Sequence, residues 1–549
     1  MGKWWSSGAP WIWLNAGAVA ISLIMVVGLL LLIAVRGLGH FWPGNVMEAW
    51  YEPPGEERVR VLGEIANRET VTAAVVADSG MPVPEDEALV DRILIKHGNR
   101  DLTGRDFLWY VEPFLAQQSW PEDVIVVERV EWGNFYGYLR GVREGEHLVE
   151  GAGAMAELQR RIGEAEKLRE RIRAVERYDI GAINRGMEEQ RLELRRHELS
   201  GTLNAAVERD VEERRAALEV RYLELEAHRQ ELKRELDRGV LIAETMAGNL
   251  VEIPLANIMQ AYLPNAMSTA QKLRLYMGNF AEFISGYPRE ANTEGGIFPA
   301  LFGTVMMVIL MSIIVTPFGV LAAIYLREYA KQGTLVRMIR ISVNNLAGVP
   351  SIVFGVFGLG FFVYWMGGSI DRLFFAESLP SPTFGTPGLI WASLTLALLT
   401  LPVVIVATEE GLTRIPRAVR EGSLALGATK AETLWRVVVP MAAPAMMTGL
   451  ILAVARAAGE VAPLMLVGVV KLAPNLPVDG EFPFLHLERK FMHLGFHIFD
   501  VGFQSPNVEA ARPLVYATAL MLVILIIILN LGAIGIRNHL REKYKSESD

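Results

Sequence analysis

The stretch Glu421-Gly-Ser-Leu-Ala-Leu-Gly427 is a short polar interruption between two apolar segments, and it decides how this sequence folds. After nine further residues it is followed by Val437-Val-Val-Pro440. Apolar runs flank the whole element, at Leu389–Ala407 upstream and at Ala445–Val470 downstream. Helix-forming residues punctuated by glycine between two such runs predict a structured loop between membrane spans. We expect Gly427 to divide the run from Arg417 to Trp435 into two short helices, and Pro440 to end the element before the next span. We expect this loop to be a docking site for a protein outside the membrane.

The rest of the chain has the composition of a membrane protein. It has 549 residues, of which 51% are hydrophobic, and a mean hydropathy of +0.27. A helix needs about 20 apolar residues to cross the hydrocarbon core, and runs of this length cross as helices. Six segments qualify: Trp11–Val35, Ile297–Tyr325, Ile341–Trp365, Leu389–Ala407, Ala445–Val470 and Leu514–Ile536. The sequence therefore predicts an all-α polytopic membrane protein with six transmembrane helices.

The first apolar segment is interpreted as an uncleaved anchor. It is longer than the core of a typical signal peptide, and the flank Arg36-Gly-Leu-Gly-His40 offers no small-x-small cleavage site. The segment therefore counts as the first of the six spans.

Several function classes are disfavoured by what the sequence lacks. The net charge is −9 with no basic face, so no nucleic-acid partner is expected. The chain has no cysteine, no Gly-x-x-x-x-Gly-Lys-Ser/Thr phosphate-binding loop and no nucleophile–base motif. His493 and His497 are four residues apart without an obvious third metal ligand, so we interpret them as a surface pair. We expect no catalytic residue, cofactor or metal, and any ATP hydrolysis would belong to another subunit.

The charged residues also predict the orientation, because lysine and arginine collect in cytoplasmic loops. They cluster after the second span, around the opening loop and in the tail: Arg327, Lys331, Arg337, Arg340; Arg414, Arg417, Arg420, Lys430, Arg436; and Arg537, Arg541, Lys543, Lys545. Both termini and the Glu421 loop are therefore expected in the cytoplasm. Residues 37–296 then lie outside the membrane on the opposite side.

The outer segment divides by composition. The β-branched run Val124-Ile-Val-Val127 predicts a strand in a small mixed α/β region. From Ala154 to about Thr245 the chain lacks proline and is rich in Glu, Arg, Leu and Ala, which is typical of long helices. Heptad spacing is kept by four residues of this part: Val211, Leu218, Leu225 and Leu232.

Two arrangements of these long helices stay open. A turn at Ser200-Gly201 gives a helical hairpin or coiled coil, with Gly181 and Gly186 as competing breaks. The alternative is a charged helix that packs along one stripe only. The predicted divisions of the whole chain are 1–36 (cytoplasmic tip and first span), 37–153 (mixed α/β), 154–245 (long helices), 246–294 (connector), 295–540 (the other five spans, with the loop at 408–440) and 541–549 (tail).

The spacing of the opening loop resembles a known pattern. The coupling loop of ATP-binding-cassette (ABC) importer permeases reads Glu-Ala-Ala, then Gly, then Ile-x-Leu-Pro. This chain matches that pattern at Glu421, Gly427 and Pro440. It departs at Gly422 and Ser423, which replace the alanines with other small residues, and at Val437 and Val439, which replace the Ile and Leu with other aliphatic ones.

Further motifs narrow the resemblance. Asn345-Leu-Ala-Gly-Val-Pro-Ser-Ile-Val-Phe-Gly355, Gly295-Gly-Ile-Phe-Pro-Ala300 and Ala455-Arg-Ala-Ala-Gly-Glu-Val-Ala-Pro463 are similar to the PstA-type permeases of phosphate importers, with Val461 in place of Thr. The resemblance covers about 290–540, and the outer insertion is similar to that of long-form members.

The resemblance implies a type I ABC permease in the inner membrane of a bacterium. The implied partners are a second homologous permease, a dimer of cytoplasmic ATP-binding subunits, a periplasmic phosphate-binding protein, inorganic phosphate and the membrane lipid. The implied ATPase docking residues are Glu421, Gly422, Ser423, Gly427 and Pro440. The 37–296 segment is then periplasmic.

Arg456 and Glu460 are charged residues inside the predicted fifth span, four positions apart and therefore on one helix face. Each costs roughly 2.5–3.5 kcal/mol near the bilayer centre, so each needs a partner or a cavity. One interpretation is an ion pair that only locks the helices together. The other is that Arg456 faces the substrate path, since a guanidinium binds two oxygens of an oxyanion at once.

Gly348 and Pro350 interrupt the predicted third span, and Asn344, Asn345 and Ser351 flank the break. Such breaks are tolerated where they line a cavity or pack against other helices. These three polar residues are therefore candidates for the substrate path, with plain helix packing as the alternative.

Three rival functions remain open at the level of sequence. The same machine could carry another oxyanion such as sulfate or molybdate, because Arg456 does not distinguish tetrahedral anions. The chain could instead be a membrane-anchored coiled-coil sensor or scaffold. A third possibility is a proton-coupled carrier that uses Glu460.

Overall fold

The computed structural model describes residues 7–55, 57–83, 88–289, 292–505 and 508–545. The chain forms two compact units. The first, here the membrane unit, comprises residues 1–40, 283–287 and 296–549. The second, here the sheet unit, comprises residues 41–282 and 288–295. Residues 546–549 of the expected tail lie outside the described residues.

Among the described residues, six helices are long and apolar enough to cross a membrane, so the predicted number of spans is confirmed. They are Trp11–Gly39, Phe298–Tyr329, Ser351–Phe374, Leu389–Arg414, Lys430–Gly459 and Ala511–His539. The last lies within a longer helix, Val508–Lys545, and shorter helices connect the others: Thr334–Leu346, Arg417–Ala425, Leu464–Val467 and Leu494–Phe499. The core of this unit lies between the second, fourth and fifth spans.

The third span begins ten residues later than predicted. A separate amphipathic helix, Thr334–Leu346, ends before it, and the span starts at Ser351. Pro350 is extended, with ψ of 135°, and lacks the N–H that a continuous helix needs there. The prediction of one span at Ile341–Trp365 therefore merged the end of the amphipathic helix with the start of the third span.

The fifth span is also displaced from its predicted position. The helix runs continuously from Lys430, through a π-helical turn at Leu434–Val438, and ends at Gly459. Pro440 was expected to end an element, and this was wrong. It lies inside this continuous helix, in the first turn of the α-helical part, Val439–Gly459, directly after the π-helical turn.

The expected all-α class was overstated, because the sheet unit contains two antiparallel sheets. The first has strands β1 to β5 in the order β4-β3-β2-β1-β5: Val46–Tyr51, Val59–Thr72, Leu89–Lys96, Phe107–Val111 and Leu115–Ser119. The second has the order β10-β9-β7-β6-β11 with β8 beside β7: β6 to β11 are Val124–Arg129, Phe135–Glu144, His147–Glu150, Gly239–Glu244, Leu250–Pro254 and Ile258–Tyr262. The predicted strand at Val124–Val127 is therefore present.

The two sheets have the same topology. Counted from the first main strand of each, both orders are fourth, third, second, first, fifth. In both, a three-residue 3-10 turn, Glu112–Phe114 or Leu255–Asn257, joins the fourth strand to the fifth. The fourth and fifth strands form opposite edges of one sheet. Because the link between them is only three residues long, each sheet must curl until its two edges approach each other. The sheet unit thus contains the same strand order twice, which no sequence period revealed.

The two copies differ in the link between their second and third main strands. In the first copy this link is residues 73–88, with the short helix Ala73–Asp78. In the second copy it carries β8 and a long helical hairpin. The arms of the hairpin are Ala154–Ser200, with a π-helical turn at Val175–Ile180, and Ala205–Leu236.

The hairpin turns at Gly201, where φ is +67° and a residue with a Cβ would be strained. Its arms are antiparallel, because Arg214 binds Glu193 at 3.1 Å while Arg229 binds Glu176 at 2.9 Å. Gly181 and Gly186, the competing breaks, lie inside the first arm.

The expected boundary at 245 and the expected connector at 246–294 were wrong. The second arm ends at Leu236, and the strands β9, β10 and β11 after it complete the second sheet. The helix Thr269–Ser285 and the short strands Pro288–Arg289 and Glu294–Gly295 follow. The three strands that complete the second sheet carry a weak sequence signal. β10 and β11 are only five residues long, and the sequence of β9 does not alternate between apolar and polar residues.

Candidate functional site

The predicted docking loop consists of one short helix and the first turn of the fifth span, and Gly427 divides the two as expected. The first is Arg417–Ala425, here the coupling helix. Gly427 reverses the chain with a φ of +89°. Thr429 then caps the next helix: its hydroxyl accepts from the Glu432 N–H at 3.3 Å, and the Glu432 carboxylate accepts from the Thr429 N–H at 2.9 Å. This reciprocal box fixes where the fifth span begins.

One face of this loop is open. Glu421 and Gly422 are exposed, and Leu424 and Leu426 are 47% and 91% exposed. Within the described part of the chain, Glu421 makes no hydrogen bond or ion pair. Exposed leucines beside an unpaired carboxylate form a surface that a protein partner can bury.

The opposite face of the loop is fixed by polar contacts. Arg420 donates to Glu328 Oε1 at 2.9 Å, and to the carbonyl oxygens of Leu412 at 2.7 Å and Ile415 at 2.8 Å. Ser423 and Thr433 share a hydrogen bond of 2.9 Å between the coupling helix and the first turn of the fifth span. The coupling helix is thereby tied to the end of the second span, where Glu328 lies.

A second cation strengthens the same tie. Lys430 Nζ donates to the Glu328 carbonyl oxygen at 2.5 Å and lies 4.8 Å from the centre of the Tyr329 ring. From the sequence, Arg420 and Lys430 were used only to predict the orientation of the chain in the membrane. Their partner is about a hundred residues away, so no local spacing indicates the contact.

Arg456 and Glu460 come together, but not in the middle of a span. Arg456 lies in the last turn of the fifth span, and Glu460 is the first residue after the helix, with ψ of 132°. Arg456 Nε is 3.4 Å from Glu460 Oε1, and their side chains are 35% and 20% exposed. A guanidinium in the last turn also interacts favourably with the free carbonyl groups of the helix end.

The start of the third span approaches the segment that follows Glu460. Ser351 is half-buried, and Gly355 lies one turn after it. A Cβ at Gly355 would be only 2.7 Å from Cα of Pro463. The structure therefore brings the Ser351 turn against the Glu460–Pro463 segment.

Asn344 and Asn345 lie elsewhere, in the amphipathic helix before the break. Both are exposed, and Asn344 lines a cavity with Glu409 of the fourth span. The fourth and fifth spans are antiparallel, because Gly411 contacts Ala445 and Gly449 contacts Ala407. Arg456 is therefore level with Thr400.

At 1.5 Å per residue, the distance from that level to Glu409 is roughly 14 Å along the helix axis. The five residues predicted for the substrate path therefore do not form one site. Arg456, Glu460 and the Ser351 turn belong to one region, and Asn344 belongs to another.

The predicted surface pair of histidines is wrong. His493 is 0% exposed and His497 is 3% exposed. His493 Nδ1 accepts from the Gly495 N–H at 3.1 Å, and Thr304 of the second span accepts from the Leu494 N–H. Burial lowers the pKa of His493 to about 3 and that of His497 to about 4, so both are neutral core residues. Among the described residues, no group of three or more His, Asp or Glu could hold a metal ion.

Comparison with known proteins agrees with this architecture. Residues 315–546 match the family described as binding-protein-dependent transport system inner membrane component. The phosphate transport system permease protein PstA 1 of Mycobacterium tuberculosis (strain CDC 1551 / Oshkosh) is 33% identical over 244 residues, which is 44% of this chain and 71% of that protein. The probable phosphate transport system permease protein PstA of Methanocaldococcus jannaschii is 30% identical over 260 residues, which is 47% of this chain and 80% of that protein.

A solved structure is also similar. It is an inward-facing conformation of the MetNI methionine ABC transporter, at 20% identity and a TM-score of 0.31, covering 45% of this chain and 94% of that one.

Proposed function

The chain belongs to the family of binding-protein-dependent transport system inner membrane components, as a PstA-type ABC permease, and we propose that it forms half of the path of an ATP-driven phosphate importer. The observation that carries this proposal is the coupling loop. One of its faces is exposed for a partner, while Arg420 ties its other face to the second span. The choice of phosphate is supported by relatives named as phosphate transport permeases.

The chain is a multi-pass inner-membrane protein, and its loops support one orientation. The coupling loop and both termini are cytoplasmic, because they carry the clusters of lysine and arginine. Residues 37–296 are then periplasmic. A second homologous permease completes the path, a periplasmic binding protein delivers phosphate, and a dimer of ATP-binding subunits hydrolyses ATP.

The contacts under the coupling helix supply the mechanical link. When the ATPase subunits close, they move the exposed face formed by Glu421, Gly422 and the two leucines. Arg420 and Lys430 hold Glu328, so the end of the second span moves with the loop. ATP can shift the equilibrium between the inward-facing and outward-facing states only if the ATP-bound ATPase binds the coupling loop with different affinity in the two states.

Arg456 is the proposed phosphate contact in this path. Its ionic contact with Glu460 is 3.4 Å long, whereas charge-assisted hydrogen bonds are about 2.7–2.9 Å. The guanidinium therefore keeps donors for a passing oxyanion, and Glu460 limits how tightly it binds. Ser351 is a second polar group near this region, while Asn344 and Asn345 are assigned to a lower, cytoplasmic level of the path.

Labelled phosphate uptake by the whole complex in proteoliposomes tests the proposal. We expect Glu421→Lys to lower uptake by about tenfold or more, and to reduce co-purification of the ATPase subunits. Glu213→Lys, at an exposed position of the hairpin, is the matched control and should behave as wild type. Uptake of sulfate or molybdate in place of phosphate would overturn the substrate, and normal ATPase binding by Glu421→Lys would overturn the docking site.

A further inference from the structure

A cavity of about 400 Å³ lies on the coupling-loop side of the membrane unit. Its walls come from three elements: the end of the second span, the amphipathic helix Thr334–Leu346 and the end of the fourth span. The charged and amide side chains that line it are Arg327, Arg340, Asn344, Glu409, Glu410 and Arg414. The region around Arg456 is roughly 14 Å away along the helix axis, so this is a separate place.

The charges in the cavity are only partly neutralised. Arg340 pairs with Glu409 at 3.1 Å. Arg327 and Arg414 make no hydrogen bond or ion pair with any other residue that the structure describes. The guanidinium groups of Arg327 and Arg414 therefore line the space against one further carboxylate, that of Glu410, and all three side chains are exposed to solvent.

This lining suits a hydrated tetrahedral oxyanion. Each guanidinium can bind two oxygens of a phosphate group, and the Asn344 amide offers further donors. A volume of about 400 Å³ has room for an anion together with part of its hydration shell. Glu410 weakens the attraction. These features favour a site that binds weakly and releases.

The cavity is connected to the coupling helix through two adjacent residues. Arg327 lines the cavity, and the next residue, Glu328, is held by Arg420 and Lys430 of the coupling loop. A displacement of the coupling helix therefore moves the backbone that carries Arg327. The spacing of the two free guanidinium groups, and hence the affinity for an anion, changes with it.

We infer that this cavity is a release site for a tetrahedral oxyanion, and that the position of the coupling helix controls its occupancy. The inference rests on the proposed function, because it places the site on the exit side of an importer. The phosphate group has two possible sources, the transported anion and the headgroup of an anionic phospholipid.

Inhibition by product from the inside tests the site. The complete transporter is reconstituted with ATP and increasing inorganic phosphate in the lumen, and the initial rate of labelled phosphate uptake is measured. Arg327→Gln/Arg414→Gln is compared with wild type. Arg337→Gln is the control, since Arg337 is exposed in the same helix as Arg340 and does not line the cavity.

We expect luminal phosphate to inhibit the wild type and Arg337→Gln equally. The half-inhibiting concentration should rise about tenfold or more in the double variant, because charge-assisted hydrogen bonds are lost. Running the assay in phosphatidylcholine with and without phosphatidylglycerol separates the sources. Inhibition in phosphatidylcholine alone identifies the free anion. If uptake is inhibited only in vesicles that contain phosphatidylglycerol, and this inhibition disappears in the double variant, the ligand is the lipid headgroup. Equal inhibition of the double variant and wild type in both lipids overturns the site.

A result that contradicts the proposed phosphate transport can be distinguished from one that contradicts only the oxyanion site in the cavity. If the wild-type complex takes up no labelled phosphate, the proposed function fails, and binding is then measured directly. The phosphorus-NMR signal of inorganic phosphate should broaden with the purified wild-type complex and broaden less with the double variant. Equal broadening by both would overturn the site regardless of transport.

Discussion

The coupling loop and the Arg456–Glu460 pair are both charged regions of the membrane unit, but they are held in opposite ways. Arg420 makes three hydrogen bonds of 2.7 to 2.9 Å to groups on two other elements. Arg456, among the residues that the structure describes, makes one ionic contact of 3.4 Å with a residue four positions away. A residue that transmits motion must stay bound to its partners, whereas a residue that contacts a passing ion must exchange them. The difference in geometry agrees with the two roles proposed for Arg420 and Arg456.

The largest effect is expected where the fixed contact is removed. Arg420→Met keeps the apolar stem but leaves the Glu328 carboxylate, in its largely buried position, without its cation. Breaking one partner of a buried pair costs about 3–5 kcal/mol, and the partial exposure here puts the expected cost near the lower end. We expect ATP hydrolysis to continue without phosphate uptake, because the loop no longer moves the second span.

Parallel assays of ATPase activity and labelled uptake in proteoliposomes measure this uncoupling. Arg337→Met is a suitable control, since Arg337 is exposed and has no partner among the described residues. Hydrolysis and uptake that remain coupled in Arg420→Met would show that the tie to Glu328 does not transmit the movement.

A smaller effect is expected at the loosely held pair. Arg456→Ala removes the proposed oxyanion contact, and uptake should fall by about tenfold, the value of one charge-assisted hydrogen bond. Arg456→Lys should keep part of the activity, because it retains the charge without the planar fork. The ATPase subunits should remain bound in both variants, since the coupling helix is unchanged.

Kinetics and co-purification together distinguish the two interpretations of Arg456. If Arg456→Ala releases the ATPase subunits or destabilises the chain as strongly as it lowers uptake, the pair is a helix lock. Unchanged uptake with an intact complex would exclude Arg456 from the path.

The sequence was sufficient for features that depend on local order. The six apolar runs predicted the number of spans, and Gly427 predicted the division of the loop. Span boundaries were wrong where proline is involved. Pro350 begins a span instead of lying inside one, and Pro440 lies inside a continuous helix instead of ending an element. The same residue type serves at either place, and only the hydrogen-bond pattern around it distinguishes them.

Contacts between distant residues and the duplicated sheet were beyond the sequence. Glu328 and Arg420 are 92 positions apart, and nothing in their neighbours indicates a pair. The two sheets share a strand order, but a long helical hairpin separates the strands of the second copy. A buried position was also assigned to the surface: His493 and His497 are polar by type, and their packing against the second span is visible only in three dimensions.

The smallest effect is expected outside both charged regions, in the helical hairpin. The first sheet closes without any such insertion between its second and third main strands, so the second sheet does not need the outer part of the hairpin. Leu158 and Ile162 pack into the core of the second sheet and must be kept. Deleting residues 177–228 and joining the arms by a short Gly/Ser turn, at the level of the Glu176–Arg229 pair, keeps both.

We expect this shortened chain to fold and phosphate uptake to change less than twofold at saturating binding protein, because neither charged region is altered. Thermal unfolding and uptake measure the two properties separately. A chain that folds but loses uptake would make the hairpin a third functional region, and the concentration of binding protein needed for half-maximal uptake would then show whether it is a docking arm.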